Sequence, residues 1–331
     1  HKIHSFAVCE NTHFVIQRNF ISNMFEKNVP LKQISYYKIG GKAKYFFEAK
    51  NINDLISAVL RSQYLNEKIF ILAGATNVLI DDKGFNGLII KPNFQHISAG
   101  RQDIEITAGS GITIAQLVDC SIAKSLSGLE WAAGLPGTLG GAIRGNAGAF
   151  GKEIKNIIEN VISLDISQKK PLIVKRKAID CQFEYRSSIF KKNKGKEIIL
   201  EATLKLTKGN IFDIEQEIKK NINYRLTKHP MDYPSLGSTF KNIPLDNINL
   251  EDENAPIKND PFPIIPAAYL IAKAGLIGTL IGGAMISPKH PNFIINVSEA
   301  TSDDVKKLIQ LTKNKVKEKF NIELEEEIEY L

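Results

Sequence analysis

Two glycine-rich stretches in the first half constrain this chain more than any other feature. They are Gly74-Ala75-Thr76-Asn77, and Gly134-Leu135-Pro136-Gly137-Thr138-Leu139-Gly140-Gly141-Ala142 running on to Asn146-Ala147-Gly148-Ala149-Phe150-Gly151. Glycine has no Cβ, so such stretches let backbone N–H groups approach an anion closely, as a diphosphate requires. One isolated glycine loop is more often a plain turn. Two long ones in one half of a chain favour a nucleotide cradle. Neither fits the phosphate loop G-x-x-x-x-G-K-[ST], because no lysine follows the glycines at the required place, and neither is the G-x-G-x-x-G of a βαβ dinucleotide fold. A different architecture must carry them.

The flanking pattern is α+β. Leu55, Ile56, Val59 and Leu60 recur at helical spacing behind Asn51, predicting a helix to Leu65, and Lys68 to Ala73 reads as a buried strand entering the first glycine loop. Gly87 to Ile90 and the alternation Ile104, Ile106, Ala108 predict further strands, and Ile112 to Ser125 a second helix. Strands at Val161 to Ile166 and Ile198 to Leu206 flank Phe183-Glu184-Tyr185-Arg186-Ser187-Ser188, and a helix is expected from Ile211 to Leu226. The prolines at 230 and 234 then break regularity. Thr301 and Asp304 have capping-box spacing at the head of a long helix with the stripe Val305, Leu308, Ile309, Val316 and Phe320. Asn242 to Pro266, with Asp246, Glu251, Asp252, Glu253, Asp260 and several prolines, reads as a surface loop. The expected division is an extension over 1–29, a first domain over 30–223 with lobes at about 30–92 and 93–223, and a second domain over 224–331.

Composition excludes several classes. At 331 residues, 43% hydrophobic and 24% charged, the chain suffices for about two packed domains. It has no run of about 18 apolar residues and no compact apolar signal core, so a cytoplasmic protein is expected. Because the chain opens on His1, its first few residues are read as a trimmed end. Cys9, Cys120 and Cys181 are far apart and odd in number, which predicts buried thiols and neither disulfides nor a metal site. The net charge of +7 is spread along the chain except at Lys191, Lys192, Lys194 and Lys196. That cluster beside a glycine reads as a solvated turn. With no recognition helix or aromatic-interleaved stripe, no nucleic-acid partner is expected.

Eight segments, taken in order, resemble the UDP-N-acetylenolpyruvoylglucosamine reductase family from about Asn28 to Tyr330. They are Ile39-Gly40-Gly41-Lys42-Ala43, Gly74 to Ile80, Gly128 to Thr138, Tyr185-Arg186-Ser187-Ser188-Ile189-Phe190, Gly237-Ser238-Thr239-Phe240-Lys241-Asn242, Gly282-Gly283-Ala284, Lys289-His290-Pro291-Asn292-Phe293 and Leu324-Glu325-Glu326-Glu327-Ile328. The resemblance implies a two-lobed, vanillyl-alcohol-oxidase-like (PCMH-type) FAD-binding domain followed by a smaller α+β substrate domain. It also implies non-covalent FAD, NADPH as co-substrate, a monomer, and a place in peptidoglycan precursor synthesis. By resemblance the flavin diphosphate sits against Gly74, Ala75, Thr76 and Asn77 and against Gly134, Pro136, Gly137, Thr138, Gly141, Asn146, Ala147 and Gly148.

In that family hydride passes from NADPH to FAD and on to the enolpyruvyl group of a UDP-sugar, leaving the lactyl ether of UDP-N-acetylmuramate. Hydride added to the terminal alkene carbon drives negative charge onto its neighbour and the carboxylate, so the site needs a cation aimed there and a proton donor. Arg186 matches the arginine of the family's Tyr-Arg-x-Ser motif, where a permanently charged planar fork suits that role. Ser238 matches the serine of Gly-Ser-x-Phe, which quenches the carbanion within hydrogen-bond reach. Glu327 matches the second glutamate of Leu-Glu-x-Glu-Val. Lys228, Asn242, His290 and Tyr185 match positions that hold the substrate, a lysine suiting a diphosphate and an asparagine a directional contact.

The chain departs from the family pattern at Arg144-Gly145, where a bulky apolar residue commonly precedes Asn146, and in a longer 243–266 segment. Residues 191–224 leave little room for the tyrosine-bearing lid of one subgroup, so the subgroup without it is expected. The competing readings are another flavoprotein of the same fold class, such as a sugar or hydroxy-acid oxidase, and a nucleotide-binding module without activity. Tethered flavins need His or Cys, which the glycine loops lack.

Overall fold

A computed structural model describes residues 24–100, 103–247 and 255–331. In the first lobe, Glu26–Pro30 pairs antiparallel with Lys42–Ala49, which runs parallel to Phe85–Pro92, itself parallel to Ile69–Ile71. The helix Ile52–Tyr64 packs on this sheet, and the Asn51 side chain accepts the Asp54 N–H at 2.9 Å, a cap that contributes about 1 kcal/mol. Its buried face is Leu55, Ala58, Val59 and Ser62, whereas Leu60 is exposed. The strand expected over Lys68 to Ala73 covers only Ile69–Ile71 and is half-buried, because the chain leaves the sheet there to enter the glycine loop.

The second lobe is a five-stranded antiparallel sheet in the order Leu172–Lys177, Ile158–Asp165, Glu197–Lys205, Glu105–Gly109, Ile97–Ala99. Thr113 caps the helix Ile114–Ala123 in a reciprocal pair with Gln116, so the helix starts two residues later than expected. Ile106, Leu117, Trp131, Leu139, Val161, Leu204 and Ile214 join one core. The helix Ile211–Lys228 buries Arg225, whose Nε and Nη2 donate to the carbonyls of Ala133 and Trp131, each at 2.9 Å. A buried guanidinium satisfied by carbonyls locks the entry to the second glycine stretch onto this helix.

The C-terminal part is a four-stranded antiparallel sheet, Ser235–Ser238, Phe293–Asn296, Ala284–Ile286 and Leu280–Ile281 in that order. The helix Ser302–Phe320 backs it, with the expected capping box at Thr301 and Asp304 and with Val305, Leu308, Ile309 and Val316 buried. This core also takes in Tyr37, Ile39 and Leu79 from the first lobe. The first lobe reaches the helix too, since Asp82 Oδ2 accepts from Ser302 N at 2.7 Å and Ser302 Oγ at 2.8 Å.

The 243–266 segment corrects the sequence reading. Its described part holds a small antiparallel sheet of Ile243–Pro244, Pro263–Ile265 and Lys258–Asn259, with Ile264 and Ile265 buried. The prolines and acids concealed an apolar Ile-Ile pair that anchors the segment. Glu251, Asp252, Glu253, Cys9 and most of the 1–29 extension lie outside the described residues. Among the described residues, Cys181 is a buried free thiol as expected, Cys120 is free but only half-buried, and no helix is long and apolar enough to cross a membrane.

Candidate active site

A cavity of about 730 Å³ runs between the two glycine stretches and on to the Ser235–Ser238 strand and the C-terminal segment. The glycine stretches touch: a Cβ on Gly74 would lie 3.0 Å from the Gly137 Cα, and Gly137 has φ +114°. At that φ only glycine is unstrained. Ala75 is also left-handed at φ +51°, and among the described residues the N–H groups of Gly74, Ala75, Thr76 and Asn77 donate to no protein acceptor. Backbone donors without partners along a wall where side chains do not fit suit the oxygens of a diphosphate. Gly74 to Asn77, Gly134, Pro136, Gly137, Thr138, Gly141, Ala147 and Gly148 all line the cavity. Asn146 does not. It is buried, left-handed at φ +45°, and its Nδ2 donates to Glu153 Oε1 and the Glu184 carbonyl, each at 2.8 Å. Its side chain braces the loop from behind.

At the other end, Arg186, Ser238 and Glu327 line the same cavity. Arg186 occupies a tight turn closed by Ser187 N–H on the Glu184 carbonyl at 3.1 Å, with φ +54°. That conformation is uncommon for a side-chain-bearing residue and is held by its surroundings. Arg186 Nη2 donates to the Gly148 carbonyl at 3.0 Å, and Nε stands 2.8 Å from Glu327 Oε1. Burial opposes the guanidinium charge, but Glu327, Tyr185 and Glu153 outweigh it and push its pKa up. Arg186 therefore stays cationic in a water-poor wall.

Glu327 is fixed by its backbone as well. Its N–H donates to the Thr239 carbonyl at 2.9 Å, one residue beyond Ser238, and its carbonyl accepts from Asn77 Nδ2 at 3.0 Å. Lys241 N–H donates to the Glu325 carbonyl at 2.8 Å. The strand bearing Ser238 thus continues into a segment paired with 325–327. Glu329–Tyr330 then runs parallel to Val78–Leu79, directly after the first glycine loop.

Of the residues expected to hold substrate, three face the cavity. Asn242 lines it with its Oδ1 accepting the Ala267 N–H at 3.2 Å, and Tyr185 lines it with its ring edge-on to Phe262 at 5.1 Å. His290 packs on His229 and Phe293, with centroids 5.3 and 4.8 Å away. Burial, and then Lys258, pushes His290 down to about 4, and burial with His290 does the same to His229. Both rings are neutral near pH 7. Lys228 instead ends the helix Ile211–Lys228 exposed, outside the cavity lining.

Sequence reasoning missed several lining residues. Lys191, read as part of a solvated turn, is half-buried in the wall, donates to the Arg186 carbonyl at 3.3 Å and lies 3.6 Å from Glu329. Burial lowers its pKa. Its place directly after the Tyr185 to Phe190 motif was the available signal. Arg144, noted only as a departure, forms an ion pair with Glu329 and lines the cavity. Lys258 and Asp260 also line it, from the segment read as a surface loop. Asp260 Oδ1 accepts the Gly151 N–H at 2.8 Å, so this segment crosses from the C-terminal part to the second glycine stretch. No sequence pattern could have placed that contact.

These features define an FAD-binding oxidoreductase architecture, and the chain matches an FAD binding domain model over residues 43–171. Residues 229–331 match the model for the UDP-N-acetylenolpyruvoylglucosamine reductase C-terminal domain. The chain is 38% identical over 310 residues to UDP-N-acetylenolpyruvoylglucosamine reductase of Caldicellulosiruptor saccharolyticus, covering 93% of this chain and 92% of the relative. It is 36% identical over 305 residues to that of Caldanaerobacter subterraneus, covering 91% of each. The crystal structure of the reductase from Thermus caldophilus superimposes with a TM-score of 0.73 at 25% identity, covering 92% of this chain and 98% of that one. The chain belongs to the UDP-N-acetylenolpyruvoylglucosamine reductase family.

Proposed function

We propose that this chain reduces the enolpyruvyl ether of UDP-N-acetylglucosamine to UDP-N-acetylmuramate, with NADPH as reductant and FAD held non-covalently. FAD, when bound, supplies the hydride. The observation that carries the reading is the convergence of the Arg186–Glu327 pair and Ser238 on the cavity that the glycine stretches line. Arg186 holds positive charge for the substrate carboxylate as negative charge grows on the carbon beside it, and Glu327 orients that guanidinium. The Ser238 hydroxyl holds the proton that this carbon takes up, transferred as the carbon becomes basic.

Asn242, Tyr185 and His290 orient the UDP-sugar, and Lys258 adds a cation toward its diphosphate. The exposure of Lys228 favours a role at the mouth of the site. We further propose that the part ending with the helix Ile211–Lys228 carries FAD and the part from 229 on carries substrate. The boundary expected at 223/224 falls inside that helix, which Arg225 ties to the entry of the second glycine stretch, and the matched models over 43–171 and 229–331 support the shifted division. We propose that the chain belongs with members without the tyrosine lid, a reading supported by the strand Glu197–Lys205 and the helix Ile211–Lys228, which take up most of the 191–224 stretch. A monomer in the cytoplasm, where nucleotide sugars are made, fits this assignment.

The test is anaerobic. NADPH should bleach the yellow protein, and enolpyruvyl-UDP-N-acetylglucosamine should restore the colour. Reduction by NADPH without reoxidation by this substrate would overturn the assignment, and reduction by a sugar or hydroxy acid instead would favour an oxidase.

A further inference from the structure

We propose that Asn77, in the glycine loop that faces the diphosphate, is a positioning residue for Glu327, so that cofactor loop and reacting carboxylate move as one unit. The inference rests on the reading of Glu327 as the residue that orients Arg186. The contacts are specific. Asn77 Nδ2 donates to the Glu327 carbonyl at 3.0 Å, and the Asn77 carbonyl accepts the Glu329 N–H at 2.9 Å. Side chain and main chain of one residue therefore bracket residues 327–329. The parallel pairing of Val78–Leu79 with Glu329–Tyr330 continues the same seam.

The seam matters because the other restraints on Glu327 come from different parts of the molecule. Its N–H is held by Thr239, beside Ser238, and its carboxylate by Arg186, on the turn braced by Asn146. Among the described residues, only the Asn77 bond ties the backbone of Glu327 to the loop whose free N–H groups face the cofactor. With that bond, the peptide carrying the carboxylate is fixed at both N–H and C=O. Without it, the peptide can rotate about Thr239, and the Arg186 guanidinium loses its alignment. Because the Asn77 amide is committed to a carbonyl, its contribution to a diphosphate comes from the main-chain N–H, as for Gly74 to Thr76.

Asn77→Asp keeps the side-chain shape and removes the donor. Reoxidation of the reduced enzyme by enolpyruvyl-UDP-N-acetylglucosamine should slow by about 10- to 100-fold, with bleaching by NADPH changing less than about threefold. In a Glu327→Gln background the same change should cost less than about twofold, because residues acting as one unit are not additive. Equal slowing of both half-reactions, wild-type reoxidation, or full multiplication of the two effects would overturn the proposal. If Glu327→Gln alone reoxidises at the wild-type rate, the reading of Glu327 fails first and takes the proposal with it.

A second measurement needs no variant. In wild-type protein, reversible removal of FAD should speed amide exchange at Glu327 and Glu329 at least about tenfold, and leave the Ser302–Phe320 helix unchanged. Identical exchange with and without flavin would sink the coupling, whatever the variants do.

Discussion

Arg186 Nε stands 2.8 Å from Glu327 Oε1, each side chain only 20% exposed, joining a turn of the second lobe to the last residues of the chain. Two charges so placed depend on each other, since removing one leaves the other in a poorly solvated wall. Arg186→Met should destabilise the protein by about 3 kcal/mol, and adding Glu327→Gln to it should recover part of that loss. Urea unfolding of the two variants checks the order; a double variant weaker than the single would contradict a mutually dependent pair.

Ser238 should matter in one half-reaction only. Ser238→Ala should be bleached by NADPH at close to the wild-type rate but reoxidised about 10²- to 10⁴-fold more slowly, the range that a positioned proton donor supplies. Stopped-flow absorbance resolves the two steps.

Flavin retention should hinge on Gly137. A Cβ there would lie 3.1 Å from Thr76 Oγ1 on a backbone at φ +114°, at a cost of about 1–3 kcal/mol. Gly137→Ala should therefore purify with less flavin and show a weaker yellow band at equal protein, restored by excess FAD. A fully yellow variant would mean that the two loops tolerate a wider gap.

The histidine pair sets a pH window. Folded His229 and His290 titrate at about 4, below the ordinary value near 6.5. As pH falls from about 6.5, the unfolded chain takes up protons first, so the stability of the neutral rings is complete above that pH and is lost progressively toward 4. Thermal melts across this range should flatten in His290→Gln, which also removes one of the two coupled partners.

Lys258 should act on binding alone. Lys258→Ala is expected to raise the KM for the UDP-sugar by about tenfold, with NADPH bleaching intact. An unchanged KM would leave the 258–265 hairpin as scaffold only.

Much of this was legible where chemistry is local. The glycine stretches, the Thr301 and Asp304 cap and the helix behind Asn51 depend on neighbours within a few positions, and sequence spacing reports such neighbours directly. The Arg186, Ser238 and Glu327 motifs were legible through resemblance, and the cavity they share was not. Lys191 and Arg144 were passed over because a charged residue becomes a wall residue only when a distant partner, here Glu329, reaches it. Ile264 and Ile265 were hidden among prolines and acids that promised only solvent. Asn146 carried the right motif, yet its side chain serves the loop from behind.

The seam between Val78–Leu79 and Glu329–Tyr330 bears on how the protein is made. The strand after the first glycine loop finds its parallel partner in a segment about 250 positions further along the sequence, so this loop is not closed by the lobe around it alone. Such non-local pairing is a slow step, because a long loop must close before any contact rewards it. A nascent chain interrupted short of Glu327 would hold a formed hydrophobic core around Leu55 and Val59 but an unfinished cradle. Flavin retention should therefore fall when the chain is cut before Glu327, and a truncated protein that stays fully yellow would show that the cradle closes without this seam.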